Sequence, residues 1–309
     1  MNRMFYLCAV CFLATGTKFA SAQQQQIRER DVKISETITL RVSEIGQGQP
    51  IIFVHGSVGD HTVWHEHLPE FALKGYRAIS YSRRYNWPNE NEPEPNHSAV
   101  VESDDLDRLA ETLGIRAFHL VGHSYGAYTA LLFALDHPDK IRTLILAEPP
   151  IVPWLKEIKG EQSAAALAHH KKLYEEFRIP AAREFRNKNQ EKALRVFLDA
   201  VVFKGAIEKL PLADVEICRR NIAELQALVN SDNCYPPVPK DAVRKLSVPT
   251  LLVSGGASTD VGKYTDSRLF DLLPQNTRER VTISGANHVM WKTRPKETND
   301  AVLEFIGKQ

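Results

Sequence analysis

Phe118-His119-Leu120-Val121-Gly122-His123-Ser124-Tyr125-Gly126-Ala127 is the stretch on which the fold turns. The run ending at Val121 reads as a buried strand, and helical spacing starts near Tyr125 and covers Ala127 to Leu135. Between them lies G-x-S-x-G, with Ser124 on a sharp strand-turn-helix corner. That corner strains the backbone at Ser124, and a side chain at 122 or 126 would collide with the strand or the helix. The helix amino terminus then lies under the serine oxygen, where it stabilises developing negative charge. With glycine and serine each near about 5%, chance supplies about 0.04 such patterns in a chain this long. An ordinary tight turn is therefore the weaker account.

Working outward, strands and helices alternate on both sides. Ile38 to Ile45 alternates apolar and polar residues, and Gly46-Gln47-Gly48-Gln49-Pro50 turns the chain into the apolar run Ile51-Ile52-Phe53-Val54. Tyr76 to Ser80 reads as a strand, Ser98 to Leu113 as an amphipathic helix, and Ile141 to Ala147 as a strand. After Pro149-Pro150 the alternation stops. Residues 151–247 are rich in Ala, Lys and Glu with helical spacing, and helices are expected at Gln162 to Phe177, Gln190 to Phe203 and Ala213 to Val229. Strand character returns at Thr250 to Val253. A helix at Ser267 to Leu273, a strand at Arg280 to Ile283 and a helix at Lys296 to Ile306 follow. Such a β-α-β series predicts a mostly parallel, doubly wound sheet, formed by residues 23–150 and 248–309, with residues 151–247 inserted as a helical cap.

With this pattern the chain resembles the α/β-hydrolase family over nearly all of residues 23–309. His55-Gly56, after the Ile51 to Val54 strand, matches the family's HG segment. The resemblance implies that the backbone N–H groups of Ser57 and Tyr125 form an oxyanion hole. A serine hydroxyl also needs a base. His288, after the last strand and the loop Ser284-Gly285-Ala286-Asn287, stands where the family carries its catalytic histidine.

The acid is open between two positions. The usual family place is the loop after Thr250 to Val253, which here reads Gly255-Gly256-Ala257-Ser258-Thr259-Asp260, uncharged until Asp260. A minority arrangement, seen in the dehalogenase branch, puts the acid just after the preceding strand, where Glu148 follows Ala147. A carboxylate buried there needs a partner, and a histidine is a natural one. Glu148 is preferred, with Asp260 the alternative.

The amino terminus has its own reading. Met1 to Ala22 combines Arg3, an apolar run from Met4 to Ala14 and Ala20-Ser21-Ala22, the layout of a cleavable export signal. The run is about half the ~20 residues of a spanning helix, so no stable membrane insertion is expected after cleavage. No lipobox surrounds Cys8 or Cys11. A secreted or periplasmic location follows. Cys218 and Cys234 would then either bridge, for about 3 kcal/mol, or stay as free thiols.

Composition excludes other classes. With 43% hydrophobic and 25% charged residues the chain is ordinary globular protein. Lys+Arg 39 against Asp+Glu 38 leaves no electrostatic footprint for nucleic acid. No dinucleotide or P-loop glycine pattern is present, so no cofactor is implied. His61, His65 and His67 with Glu66 fit no zinc motif; a solvated helix face accounts for them and no metal is expected. Asp104, Asp105 and Asp107 read as solvated. Local ion pairing is the simpler account of Arg83-Arg84, contact with an acidic substrate group the other.

The sequence thus points to a serine hydrolase cleaving a small carboxylic ester through an acyl-enzyme, with Ser124, His288 and Glu148 as triad. The same triad also suits C–C bond, lactone or perhydrolase chemistry. A binding protein on a dead scaffold is disfavoured by the presence of both Ser124 and His288, and dehalogenase chemistry by the lack of a carboxylate at 124.

Overall fold

The computed structural model describes residues 26–309 other than 93, 95 and 259, and only the backbone of residues 260–263. The export-signal reading of Met1 to Ala22 lies outside the described residues.

Eight strands form one sheet: β1 (Arg28–Lys33), β2 (Thr39–Ile45), β3 (Gln49–Val54), β4 (Tyr76–Tyr81), β5 (Phe118–His123), β6 (Ile141–Ala147), β7 (Thr250–Gly255) and β8 (Arg278–Ile283). Their order is β1-β2-β4-β3-β5-β6-β7-β8. Only β2 runs antiparallel to its neighbours β1 and β4; the other pairings are parallel. The expected mostly parallel sheet is therefore present.

Helices cover both faces. They are α1 (Leu68–Leu73), α2 (Ala99–Thr112), α3 (Tyr125–Asp136), α4 (Ser163–Lys171), α5 (Ile179–Arg186), α6 (Gln190–Val201), α7 (Ala206–Lys209), α8 (Leu212–Arg220), α9 (Ile222–Asn230), α10 (Lys240–Arg244), α11 (Asp260–Leu272), α12 (Met290–Thr293) and α13 (Pro295–Gly307). Because strand side chains alternate faces, Ile52 and Val54 pack with Leu106, Tyr128, Phe133 and Leu269 from α2, α3 and α11. Ile51 and Phe53 pack on the other face with Phe71, Trp291, Val302 and Phe305 from α1, α12 and α13. Burying each such side chain contributes about 1.5–3 kcal/mol. That is why the central strands read as continuous apolar runs.

The expected strands and core helices recur with ends shifted by a few residues, save that the helix expected from Ser267 starts at Asp260, and β1 has no counterpart in the sequence reading. Its residues RERDVK are exposed except for Val32. No apolar alternation marks it, because it is a charged outer strand whose polar side chains oppose edge-to-edge pairing.

The helical stretch departs from expectation at two joints. The helix expected at Ala213 to Val229 breaks at Asn221. That side chain instead donates to Asp60 Oδ2 at 2.8 Å and accepts from the Trp87 N–H at 2.7 Å. The helix expected to end at Phe177 continues from α4 through a π-helical stretch, Lys172–Arg178, into α5. Such widened turns absorb an irregularity that the proline at 180 would otherwise impose. Helices α5, α6 and α9 close around Phe177, Phe185, Leu194, Phe197 and Leu225, and the side chain they receive from the sheet domain is Val58.

Candidate active site

Strand β5 delivers Ser124 to the amino terminus of α3, with φ +53° and ψ −124°. The corner is locked: the Ser124 N–H donates to Ala147 O at 2.8 Å, tying it to the end of β6. Glycine is obligatory on either side. A Cβ at Gly122 would lie 2.5 Å from Ala127 Cα, and one at Gly126 would lie 2.4 Å from both Val54 O and His55 O.

The end of β6 carries Glu148, buried and itself at φ +49°. Its Oε2 accepts from His288 Nδ1 at 2.6 Å and its Oε1 from the Gly255 N–H at 2.7 Å. Burial raises the carboxyl's pKa, but His288 and the Gly255 N–H outweigh it and hold the group below its ordinary value. A second carboxyl, Asp266, lies behind β7 and accepts from Ser254 Oγ at 2.7 Å. Burial first, and then the Glu148 charge, push it up to about 8. At neutral pH Glu148 is thus the ionised acid and Asp266 the neutral one. Asp260 opens α11, and its side chain lies outside the described residues.

His288 is also held by His123, the last residue of β5, next to Ser124. His123 Nε2 donates to the His288 carbonyl at 2.7 Å, and the two rings lie 4.9 Å apart. Burial, then His288, push His123 down to about 4, so it stays neutral and serves as a brace. With Nδ1 taken by Glu148, His288 Nε2 is the nitrogen left for other chemistry.

The loop after β3 holds Ser57. His55, fully buried, donates from Nδ1 to Gly56 O at 2.8 Å and accepts the Arg83 N–H on Nε2 at 3.0 Å. Burial and then Arg83 push it down to about 3. His55 is a loop brace, fully satisfied. A cavity of about 30 Å³ adjoins Ser57, walled by Val152, Leu173, Phe177, Phe197 and Leu228.

The model of the Alpha/beta hydrolase family matches residues 51–301. The chain belongs to the alpha/beta hydrolase family. The mouse sn-1-specific diacylglycerol lipase ABHD11 is 28% identical over 266 residues, which are 83% of this hydrolase and 80% of the lipase. The putative non-heme bromoperoxidase BpoC of Mycobacterium tuberculosis strain H37Rv is 24% identical over 87% of this chain and 98% of its own. Among solved structures, the enol-lactonase from Burkholderia xenovorans LB400 superposes with a TM-score of 0.71 at 16% identity, covering 90% of this chain and 100% of the lactonase. The relatives support hydrolase activity in general.

In this hydrolase Arg83 and Arg84 are ion-paired inside the protein. Arg84 grips Asp105 through two bonds of 2.8 and 2.7 Å, so Asp105 is buried, contrary to its expected solvation; Asp104 is exposed and Asp107 meets Lys140. Arg83 is fully buried. Its Nη1 reaches Glu102 at 2.6 and 2.5 Å, while its Nη2 donates to Glu224 Oε1 at 2.7 Å and to Gly56 O at 3.2 Å. Glu224 arrives from α9, and its Oε2 accepts the Val58 N–H at 2.9 Å. Val58 itself sits at φ +52°. One carboxylate of the inserted helices thus pins the residue next to Ser57. The sequence held no sign of it, since Glu224 is one acid among many on a helix-periodic stretch.

One further expectation changes in part, and one open alternative closes. The solvated-face reading fails for His61 and His67, which are buried, with His67 Nδ1 3.1 Å from Asn299 Oδ1, while His65 is part-exposed and Glu66 exposed. Cys218 and Cys234 are free thiols. Among the described residues no helix is long and apolar enough to cross a membrane.

Proposed function

We propose that the protein is a serine hydrolase of small carboxylic esters, with Ser124, His288 and Glu148 as its triad. The observation that carries this reading is the 2.6 Å bond from His288 Nδ1 to Glu148, beside a serine held in a left-handed corner. Ser124 Oγ attacks the ester carbonyl as His288 Nε2 takes its proton. Glu148 stabilises the imidazolium and fixes its tautomer. The oxyanion meets the N–H groups of Ser57 and Tyr125. His288 then protonates the leaving alkoxide, and a water that it deprotonates releases the acid. The residue 151–247 insert acts as the cap, and the chain is exported after cleavage behind Ala22; amino-terminal sequencing of the mature protein checks the latter.

The cavity beside Ser57 is mostly apolar, with Tyr174, Arg178 and Tyr235 also on its wall, and has room for roughly two waters, so a short acyl chain fits it. Turnover of p-nitrophenyl esters is expected to be fastest between acetate and butyrate and to fall by about tenfold or more at decanoate, at about 1.4 kcal/mol per tenfold. A fluorophosphonate should label Ser124. Absence of labelling, with no ester turned over, would refute the proposal.

The Glu224 clamp supplies a separate expectation. Glu224→Ala leaves the Val58 N–H and Arg83 without their buried acceptor, so stability should fall by about 3–5 kcal/mol. The oxyanion loop loses its anchor as well, so kcat should drop about tenfold or more while KM changes little. Glu224→Gln retains an acceptor for Val58 and should recover most of kcat. Thermal melts and steady-state kinetics on a soluble ester check both. An effect on KM alone would show that Glu224 does not act through the loop.

A further inference from the structure

Far along the chain from the triad, three side chains of different origin converge: Glu29 from β1, and His61 and His65 from the turn before α1. One donor atom from each lies within 4.8 Å of the others. The hydrogen bonds around His61 fix which nitrogen carries the proton of its neutral ring. Its side chain is wholly buried. Ser82 Oγ gives its only proton to the Trp87 carbonyl, at 2.6 Å. The same oxygen must therefore accept both the His61 N–H, at 3.1 Å, and His61 Nδ1, at 2.8 Å. The ring proton sits on Nδ1, which leaves Nε2 with a bare lone pair.

That lone pair has no hydrogen-bond partner. What faces it is another acceptor, Glu29 Oε2, at 3.5 Å. His65 Nε2 lies 3.7 Å from the second oxygen of the same carboxylate and 3.0 Å from Ser43 Oγ. Arg41 touches Glu29 Oε2 at 3.4 Å from outside but gives its shorter bond, 2.7 Å, to Asp31. Two acceptors aimed at one another, one of them buried, are costly unless a cation lies between them.

We propose that Glu29, His61 and His65 bind one divalent transition-metal ion of the zinc type. Two imidazoles and a carboxylate suit zinc and its borderline neighbours, whereas magnesium and calcium take oxygen. Bonds of about 2.0–2.2 Å place tetrahedral ligands about 3.4 Å apart, close to the observed 3.5 and 3.7 Å. Ser82 orients His61 as an outer-sphere acceptor, and Trp87 stacks on the ring at 5.7 Å between centroids. Ser43 Oγ or a water completes the shell. Such an ion would staple the outer strand β1 to the turn that follows the oxyanion loop. Residue spacing could not disclose this site, since Glu29 is 32 residues from His61 in sequence.

The test is calorimetric titration of tag-free, chelator-stripped full-length protein with Zn²⁺. One equivalent should bind and raise the melting temperature. Glu29→Gln and His65→Gln, at part-exposed positions that need not disturb folding, should each weaken binding by about 100-fold while melting like the stripped wild type without zinc. A Co²⁺-loaded sample should show the strong visible bands of a tetrahedral site, and Glu29→Gln should lose them. No uptake by the wild type would mean that His61 and Glu29 are a plain imidazolium–carboxylate pair, and would overturn the proposal. Uptake undiminished in both variants would place the ion elsewhere and overturn it equally.

Discussion

Ser124→Ala is expected to lower ester turnover by about 10³–10⁶-fold, with a melting temperature close to that of the parent. The corner is built by backbone: φ +53°, the Ser124 N–H to Ala147 O bond, and the two flanking glycines. Alanine meets the same backbone demand as serine, so only the nucleophile is removed. What remains is the contribution of the oxyanion donors and of substrate binding. Steady-state assays beside thermal melts check this. Retention of more than a few per cent of activity in a preparation free of contaminating esterase would end the serine mechanism.

Glu148→Gln is expected to cost about 10⁴-fold in kcat. The amide has nearly the carboxylate's shape, so the left-handed position after β6 and the Gly255 N–H contact can survive. It carries no charge to stabilise the imidazolium. Its NH₂ group can also turn toward His288 Nδ1, which then holds the lone pair and leaves the proton on Nε2, where a base is needed. Asp260→Asn is expected to cost little, because Glu148 already holds Nδ1 at 2.6 Å. Parallel kinetics of the two variants decide. A large loss at Asp260 with a small one at Glu148 would reverse the assignment.

Features set by local pattern are readable in the sequence. The β5-to-α3 corner is one, because G-x-S-x-G states a steric requirement in five letters. The sheet's central runs are another, since strands covered on both faces must be apolar throughout. The preference for Glu148 rests on the uncharged run Gly255 to Thr259 together with a carboxylate at the end of β6; in the structure Glu148 Oε2 accepts from His288 Nδ1 at 2.6 Å. Features created by long-range meeting were hidden. Strand β1 is charged because it lies at an edge. Asn221 breaks a helix in order to reach Asp60 and Trp87, and its own neighbours carry no sign of the break. Glu224, Arg83 and Glu102 are separated by long stretches of chain, and each alone looks like a surface residue. His61 reads as part of a polar cluster until Ser82, Trp87 and Glu29 close around it.

The placement of Val58 has a mechanical consequence. Its side chain is seated among Phe177, Phe197 and Leu225 of the inserted helices, its N–H is held by Glu224, and the adjoining residue is Ser57. In the proposed mechanism the helices cannot lift as a free lid over a finished site, since withdrawing α9 would also withdraw the Glu224 bond that holds Val58, next to the proposed oxyanion donor Ser57. Admission of substrate and assembly of the catalytic machinery are therefore the two ends of one equilibrium. By reciprocity, whatever binds the oxyanion donors more tightly draws the helices down by the same free energy. In that mechanism an open enzyme would be a poor catalyst as well as an accessible one, so turnover waits on the helices being seated.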